Sequence, residues 1–293
     1  MEQPAFKPVL SHVVTDRMVF VLKATGEREP FDREKFIRSV MRGGAPRDVA
    51  LSILQELEGG LRDGIPTREI YQRASKLLSS YDKRVSLRYA LKNSIMKLGP
   101  SGFPFEDFVG AVLTAIGYDV SVRNVAHGRC VKHEIDIIAT KGATSTLVEC
   151  KYHNFKGVYT GLKEAMYTYA RLLDIKEGYA EGHIGAKIES AMLVTNTKFS
   201  VDAVTYSECR GIELLGWRHP GENGLETIID RERLYPVTIL PDLRPHEAAT
   251  LAACGIVLLR DLARFREEDV GDKTGVSKGR VLSLRKEAAD LLG

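Results

Sequence analysis

Residues 133–152 constrain the fold of this chain more than any other stretch. His133-Glu134-Ile135-Asp136-Ile137-Ile138-Ala139 and Leu147-Val148-Glu149-Cys150-Lys151-Tyr152 each alternate with period two around Ile, Leu and Val, and Lys141-Gly142 supplies a turn between them. Such alternation predicts the two strands of a hairpin. Glu149 and Lys151 are two apart and therefore point to one face, where Asp136 joins them if the register allows. Two carboxylates and an ammonium on a sheet face suit metal-assisted phosphodiester hydrolysis. The carboxylates offer hard oxygen ligands to Mg²⁺ or Mn²⁺, the metal lowers the pKa of a bound water, and the lysine orients that water or offsets charge on the phosphorane.

Asp136 followed by Glu149-Cys150-Lys151 resembles the PD-(D/E)XK nuclease signature in its Mrr-like restriction endonuclease branch. A D/E-x-K triplet alone should occur by chance about twice in a chain this long, and Asp174-Ile175-Lys176 is a second one, though it closes a helical pattern. Context separates the two. The predicted order over 101–236 is α-β-β-β-α-β-α-β. It comprises a helix with the stripe Phe105, Phe108, Val109, Val112, Leu113 and Ile116, then a strand over 120–125 and the hairpin. A helix over about 160–174, a strand over 191–195, a helix over 200–210 and a strand over 212–216 follow. The resemblance implies a restriction-endonuclease-like α/β core with a mixed sheet. Asp136, Glu149, the backbone carbonyl of Cys150 and, from the first helix, Glu106 would hold the metal, and Lys151 would serve the water. Glu106 also reads simply as an acid complementing the helix dipole. Lys163 and Tyr167 share a face of the next helix, where some relatives carry Gln and Tyr. His133 points away from Asp136 and reads as a packed or hydrogen-bonded residue.

Residues 17–100 read as a separate, mostly helical domain, preceded by a lead over 1–16. A strand over 18–23 and a Thr25-Gly26 turn precede four helices, near 32, 46–61, 67 and 83–97, with Asp32 and Thr67 as caps. Val21-x-Lys23-x-x-Gly26, Phe31-Asp32-x-x-Lys35, Thr67-x-x-Ile70 and Arg88-Tyr89 resemble the ATP-cone, the allosteric ATP/dATP-binding module of ribonucleotide reductases and of their repressor. The resemblance implies nucleotide contacts at Val21, Lys23, Gly26, Phe31, Lys35, Thr67, Arg88 and Tyr89. Ala24-Thr25 stands where the family often has Arg-Asp. No Walker A loop is present, so ATP or dATP is expected as a regulator and not as a fuel.

Charge divides the same way. Lys and Arg exceed Asp and Glu by 7 over residues 17–100, fall short by 3 over 101–236 and balance over 237–293. The basic excess would attract nucleotide phosphates or a nucleic acid backbone. Residues 237–293 form a small all-α domain beyond Leu240-Pro241-Asp242-Leu243-Arg244-Pro245, with helices near 246–254, 258–264, 266–271 and 277–292. Leu251-x-x-x-Gly255-Ile256 and Thr274-Gly275-Val276-Ser277 resemble helix–hairpin–helix domains, implying phosphate contacts at Gly275, Ser277, Lys278 and Arg280. The neutral charge of this part equally fits a protein partner or a homo-oligomer contact.

The four cysteines lie far apart and without a CxxC pair, which disfavours a zinc site or disulfide framework and fits a reducing cytoplasm. No apolar run approaches the length of a membrane span. The sequence thus predicts a multidomain α+β, α/β protein: a metal-dependent DNA endonuclease regulated by ATP or dATP. A nucleotide-sensing DNA-binding regulator that does not cut, or a nuclease of RNA or branched DNA, are the alternatives.

Overall fold

The computed structural model describes residues 18–23, 26–99, 103–155, 157–183, 187–265 and 276–292. The chain divides into two compact units, residues 1–81 and 82–293. In the first, β1 (Phe20–Leu22) pairs antiparallel with β2 (Arg28–Pro30) and parallel with β3 (Ile65–Pro66). Helices α1 (Arg33–Arg42), α2 (Arg47–Glu58) and α3 (Thr67–Tyr81) complete it. Asp32 caps α1 as its sequence position predicts, accepting a hydrogen bond from the Lys35 amide at 2.8 Å. Phe36, Ile37 and Val40 on α1, Ile53, Leu54 and Leu57 on α2, and Ile70, Ala74 and Leu78 on α3 are buried. Strands β2 and β3 are too short to show alternation, so no periodicity announces them.

The second unit opens with α4 (Lys83–Ile95), capped by Asp82. The sequence groups this helix with the amino-terminal domain, but its Lys83, Arg88 and Ser94 bond inside the second unit. Arg88 places Nε and Nη2 on the two oxygens of Asp230, at 2.9 and 2.7 Å. The Ser94 carbonyl accepts from the Thr238 hydroxyl at 2.7 Å, and Lys83 donates to the Asp290 carbonyl at 2.7 Å. Val85, Leu87, Ala90, Leu91 and Ile95 are buried around much of the helix circumference. A helix apolar on so many sides does not reveal its partners.

Next come α5 (Phe103–Ala115), β4 (Asp119–His127), β5 (Lys132–Lys141), β6 (Thr144–Lys151), α6 (Leu162–Ala180), β8 (Ser190–Thr195), α7 (Val201–Arg210) and β10 (Ile212–Leu215). The predicted order holds throughout. Short β7 (Tyr159–Thr160) and β9 (Lys198–Phe199) are additions that pair parallel with each other. The five-stranded sheet runs β10-β8-β6-β5-β4, with β4, β5 and β6 antiparallel and β6, β8 and β10 parallel. It is therefore mixed, as expected of this core. The β5–β6 turn follows the Lys141↔Thr144 pair, and Gly142 takes φ +62°, which a side chain would resist. On α5, Phe105, Phe108, Val109, Val112 and Leu113 are fully buried. Ala165, Leu172 and Ile175 of α6 join Leu147, Ala191, Leu193 and Ile212 of the sheet in one apolar cluster.

Helix α6 is fixed at close range. A Cβ on Gly178 would come within 2.5 Å of the Gly128 backbone, so glycine is required where α6 meets the β4–β5 connection. One turn earlier, Asp174 accepts from the Cys130 amide at 2.8 Å and pairs with His133 Nε2 at 2.7 Å. Burial opposes its charge, yet these bonds and that from Val131 hold the Asp174 carboxyl down at about 2. The reading of His133 as a hydrogen-bonded residue is correct, and the second D/E-x-K triplet proves to be part of this clamp.

The chain closes with α8 (Leu225–Arg231), α9 (Pro245–Ala253), α10 (Leu259–Arg264) and α11 (Lys278–Leu292). The helix expected over 266–271 lies outside the described residues. Among the described residues, no helix is long and apolar enough to cross a membrane.

Candidate active site

Strands β5 and β6 stay in register up to Ile137↔Val148, and the next position would oppose Asp136 to Glu149. There the ladder stops, and the Asp136 carboxylate accepts the Cys150 amide hydrogen at 2.7 Å. The alternation of β5 slips a step at the same place. Ile135 belongs to the apolar cluster beside α6 and Ile138 packs against it too, although period two would put them on opposite faces. Across the sheet, the pairing of β4 with β5 skips Arg123, which takes φ +54° in the left-handed region. A non-glycine residue held there is strained, and such strain gathers at functional positions. The irregularity frees Asp136 from the strand pattern and leaves its carboxylate between β5 and β6.

Three carboxylates sense one another here. Burial raises the Asp136 carboxyl, an effect partly offset by the Cys150 amide. Burial, then the charge of Asp136, pushes Glu149 up to about 7 against the pull of Arg171 and Lys151. Glu106, on the first turn of α5 and only 8% exposed, is likewise raised to about 7 by burial and then by Asp136. Carboxyls lifted by burial and like charge mark sites built to take a cation or move a proton. The neighbouring Cys150 thiol is pushed well up by burial and these acids, and so stays neutral.

Lys151 lies at the end of β6, its carbonyl accepting from the Thr195 hydroxyl at 2.8 Å. The backbone beyond it is held at both polar groups by one side chain. The His153 amide donates to Asn196 Oδ1 at 2.9 Å, and Asn196 Nδ2 returns a bond to the His153 carbonyl at 2.8 Å. Lys92 of α4 in turn reaches the Asn196 carbonyl at 2.5 Å, with its ammonium 4.3 Å from the Trp217 ring centre. Thr160, Thr195 and Asn196 are fully buried, so this network fixes where the strand bearing Glu149 and Lys151 ends.

Sequence reasoning missed Arg171. It reaches from α6 to pair with Glu149 through Nη1, donates from Nη2 to the Tyr167 hydroxyl at 2.9 Å, and lies 4.6 Å from that ring's centre. Tyr167 was singled out together with Lys163, and the same helical stripe carried one turn further reaches Arg171. The donor set of Asp136, Glu149, Glu106 and a backbone carbonyl is hard oxygen and suits Mg²⁺ or Mn²⁺ in kind. Among the described residues, however, no three His, Cys, Asp or Glu side chains converge to close around an ion. Glu149 gives its carboxylate to Arg171.

The other expected site residues are distributed between the units. In the first, Val21 is buried in β1, Gly26 takes φ +84°, Phe31 packs on Phe36 with ring centres 6.1 Å apart, and Thr67 opens α3. Lys23 pairs with Glu29 at 2.7 Å and Glu27 at 3.1 Å, and Lys35 reaches Glu29 at 3.5 Å. Arg88 and Tyr89 are on α4 in the second unit, where Asp230 takes the Arg88 guanidinium. Of the four expected DNA contacts, Gly275 lies outside the described residues, while Ser277 and Lys278 are exposed at the start of α11. Arg280 is committed to Glu247, at 2.9 Å from Nε and 3.2 Å from Nη2, and to the Asp242 carbonyl at 2.7 Å.

Comparison with known proteins agrees with this layout. Residues 99–217 match the family model described as restriction endonuclease, and residues 235–292 match the model described as AF1548-like, C-terminal. An uncharacterized protein of Archaeoglobus fulgidus is 38% identical over 178 residues, which cover 60% of this chain and 95% of that protein. A crystal structure titled as AF1548, a protein of unknown function, superposes with a TM-score of 0.58 at 34% identity, covering 66% of this chain and 99% of that one. The amino-terminal region is similar to the transcriptional repressor NrdR. The Rhodospirillum centenum protein is 35% identical over 82 residues, 25% of this chain and 53% of the repressor.

Proposed function

Because the chain belongs to the AF1548-like family and carries a restriction endonuclease domain, we propose that it is a divalent-metal-dependent DNA endonuclease whose activity responds to ATP or dATP. The observation that carries this reading is the break between β5 and β6. There Asp136 leaves the ladder opposite Glu149, with Glu106 close by and Lys151 two residues along the same strand. Asp136, Glu149 and Glu106 would hold the ion together with the Cys150 carbonyl. When bound, Mg²⁺ or Mn²⁺ supplies Lewis acidity and a water acidic enough to attack phosphorus near neutral pH. Lys151 holds that water or the developing phosphorane charge. Thr195 and Asn196 keep the lysine in place by fastening the backbone on either side of Tyr152.

Lys23, Lys35 and Thr67, with Val21, Gly26 and Phe31, are the nucleotide contacts of this reading, supported by the NrdR likeness of the region. A nucleotide phosphate would compete with Glu29 for Lys23 and Lys35, because that carboxylate now pairs with both. Nucleotide acts on cutting only through a difference in affinity between two states of the protein.

Supercoiled plasmid with Mg²⁺ or Mn²⁺ tests the reading, alongside single-stranded RNA and branched DNA as alternative substrates. Nicking by the wild type, lost in Asp136→Asn and Lys151→Ala with unchanged circular dichroism, is the expected result. DNA binding without cleavage in the wild type, under every metal, would favour a non-cutting regulator instead. The Glu149–Arg171 pair is the feature that favours that second reading. Calorimetric titration with dATP, in the wild type and in Lys23→Ala, tests the nucleotide site.

A further inference from the structure

We propose that Arg171 is the built-in counter-ion of this site: it and a divalent cation compete for Glu149, so the site has an arginine-held resting state and a metal-competent one. The inference rests on the endonuclease reading and deepens it, since it names what must move before the ion can be held.

Four observations point to exchange and away from a permanent structural pair. Arg171 is only 9% exposed, yet among the described residues its Nε–H has no hydrogen-bond partner, while Nη1 and Nη2 serve Glu149 and the Tyr167 hydroxyl. Buried guanidinium groups that serve structure alone satisfy their donors. Arg280, less buried than Arg171, still has Nε on Glu247 and Nη2 shared between Glu247 and the Asp242 carbonyl. Second, the helix beneath Arg171 does not need to move. Asp174 and Gly178, on the next two turns of α6, lock it to residues 127–133 through direct backbone and side-chain contacts. The exchange is therefore a rotation of one long side chain. Third, Tyr167, which takes the other end of the Arg171 guanidinium, is 55% exposed, so that group is held between the part-buried acid and the protein surface. Fourth, Glu149 stands where the β5–β6 ladder ends opposite Asp136, and Arg171 makes to its carboxylate the direct contact that a cation would otherwise make.

Mn²⁺ binding to the full-length chain, followed by calorimetry and by electron paramagnetic resonance of the free ion, tests this without recourse to turnover. Removing the competitor in Arg171→Met should tighten Mn²⁺ binding about tenfold or more. Tyr167→Phe keeps the ring and removes the hydroxyl, and should tighten it about two- to threefold. It serves if Arg171→Met does not fold. Glu149→Gln should abolish binding in either background. Mn²⁺ binding unchanged or weaker in the folded Arg171 and Tyr167 variants, with a wild type that binds Mn²⁺ and nicks plasmid, would overturn the exchange alone. Failure of the wild type and every variant to bind Mn²⁺ would remove the metal-dependent reading together with it.

Discussion

Glu149 with Arg171 and Glu247 with Arg280 are one ion pair written twice, both in the second unit and both with little-exposed carboxylates, yet their acids are driven in opposite directions. Arg280 draws Glu247 down to about 2, aided by the Arg244 amide at 2.9 Å and the Arg244 charge. Burial lifts Glu149 to about 7, because Asp136 repels it where Glu247 meets only cations and an N–H. The difference lies in the company around each pair and not in the pair. At α9 and α11 the Glu247 carboxylate is matched by Arg280 and the Arg244 amide, and the contact fastens two helices together. Between β5 and β6 an excess of acid is gathered in a place where solvent does not screen it, an arrangement that costs stability and gains reactivity.

That contrast can be broken experimentally, and the largest effect expected is on cleavage. Glu149→Gln should lower plasmid nicking about a thousandfold, whereas Arg280→Met should leave the rate per folded molecule unchanged. A comparable loss of rate in both would erase the distinction.

Stability should behave inversely. Arg280→Met removes the guanidinium bonds to Glu247, leaving only the Arg244 contacts, and should cost about 2 kcal/mol, read from the urea midpoint. The acid limb sharpens this. Glu247 titrates lower in the folded state, so its contribution is fully present above the ordinary carboxylate pKa of 4.5 and is lost as pH falls toward about 2. Denaturation midpoints of the wild type and Glu247→Gln should therefore converge across that window. Parallel curves would contradict the assignment.

A comparable effect is expected where α6 is docked. Gly178→Ala forces a methyl against the Gly128 backbone and should cost about 1–3 kcal/mol. Neither ion pair is touched by it. Smallest of all is the effect of Glu149→Gln on folding, expected within about 1 kcal/mol of the wild type at neutral pH. A loss as large as that of Arg280→Met would show that Glu149 is also a structural acid.

The nuclease core was legible because its evidence is periodic. The alternation from 133 to 139 and from 147 to 152 fixed two strands and their shared face, and the element order followed from similar runs. The break at Asp136 was not legible. It depends on Arg123 taking a left-handed conformation on another strand, and no pattern within β5 records that. Arg171 was missed for a related reason, since an arginine on a helix face reads as solvated surface until the fold brings a carboxylate to it. The role of Thr195 and Asn196, tying down the backbone after Lys151, became apparent only once β6 and β8 lay side by side. Arg280 was expected to meet phosphate, and its fork on Glu247, a contact the sequence does not announce, gives it a part in the fold.

Helix α4 carries a consequence for how such a protein can be cut and rejoined. Its Lys92 props up the turn after β8, its Arg88 grips Asp230, and its Ser94 carbonyl receives Thr238. A chain begun at residue 101 would lack all three supports, whereas one begun at residue 82 would keep them. If the amino-terminal module has been passed between proteins as a cassette, a graft made at residue 100 would take α4 away from the partners it holds at Asn196, Asp230 and Thr238.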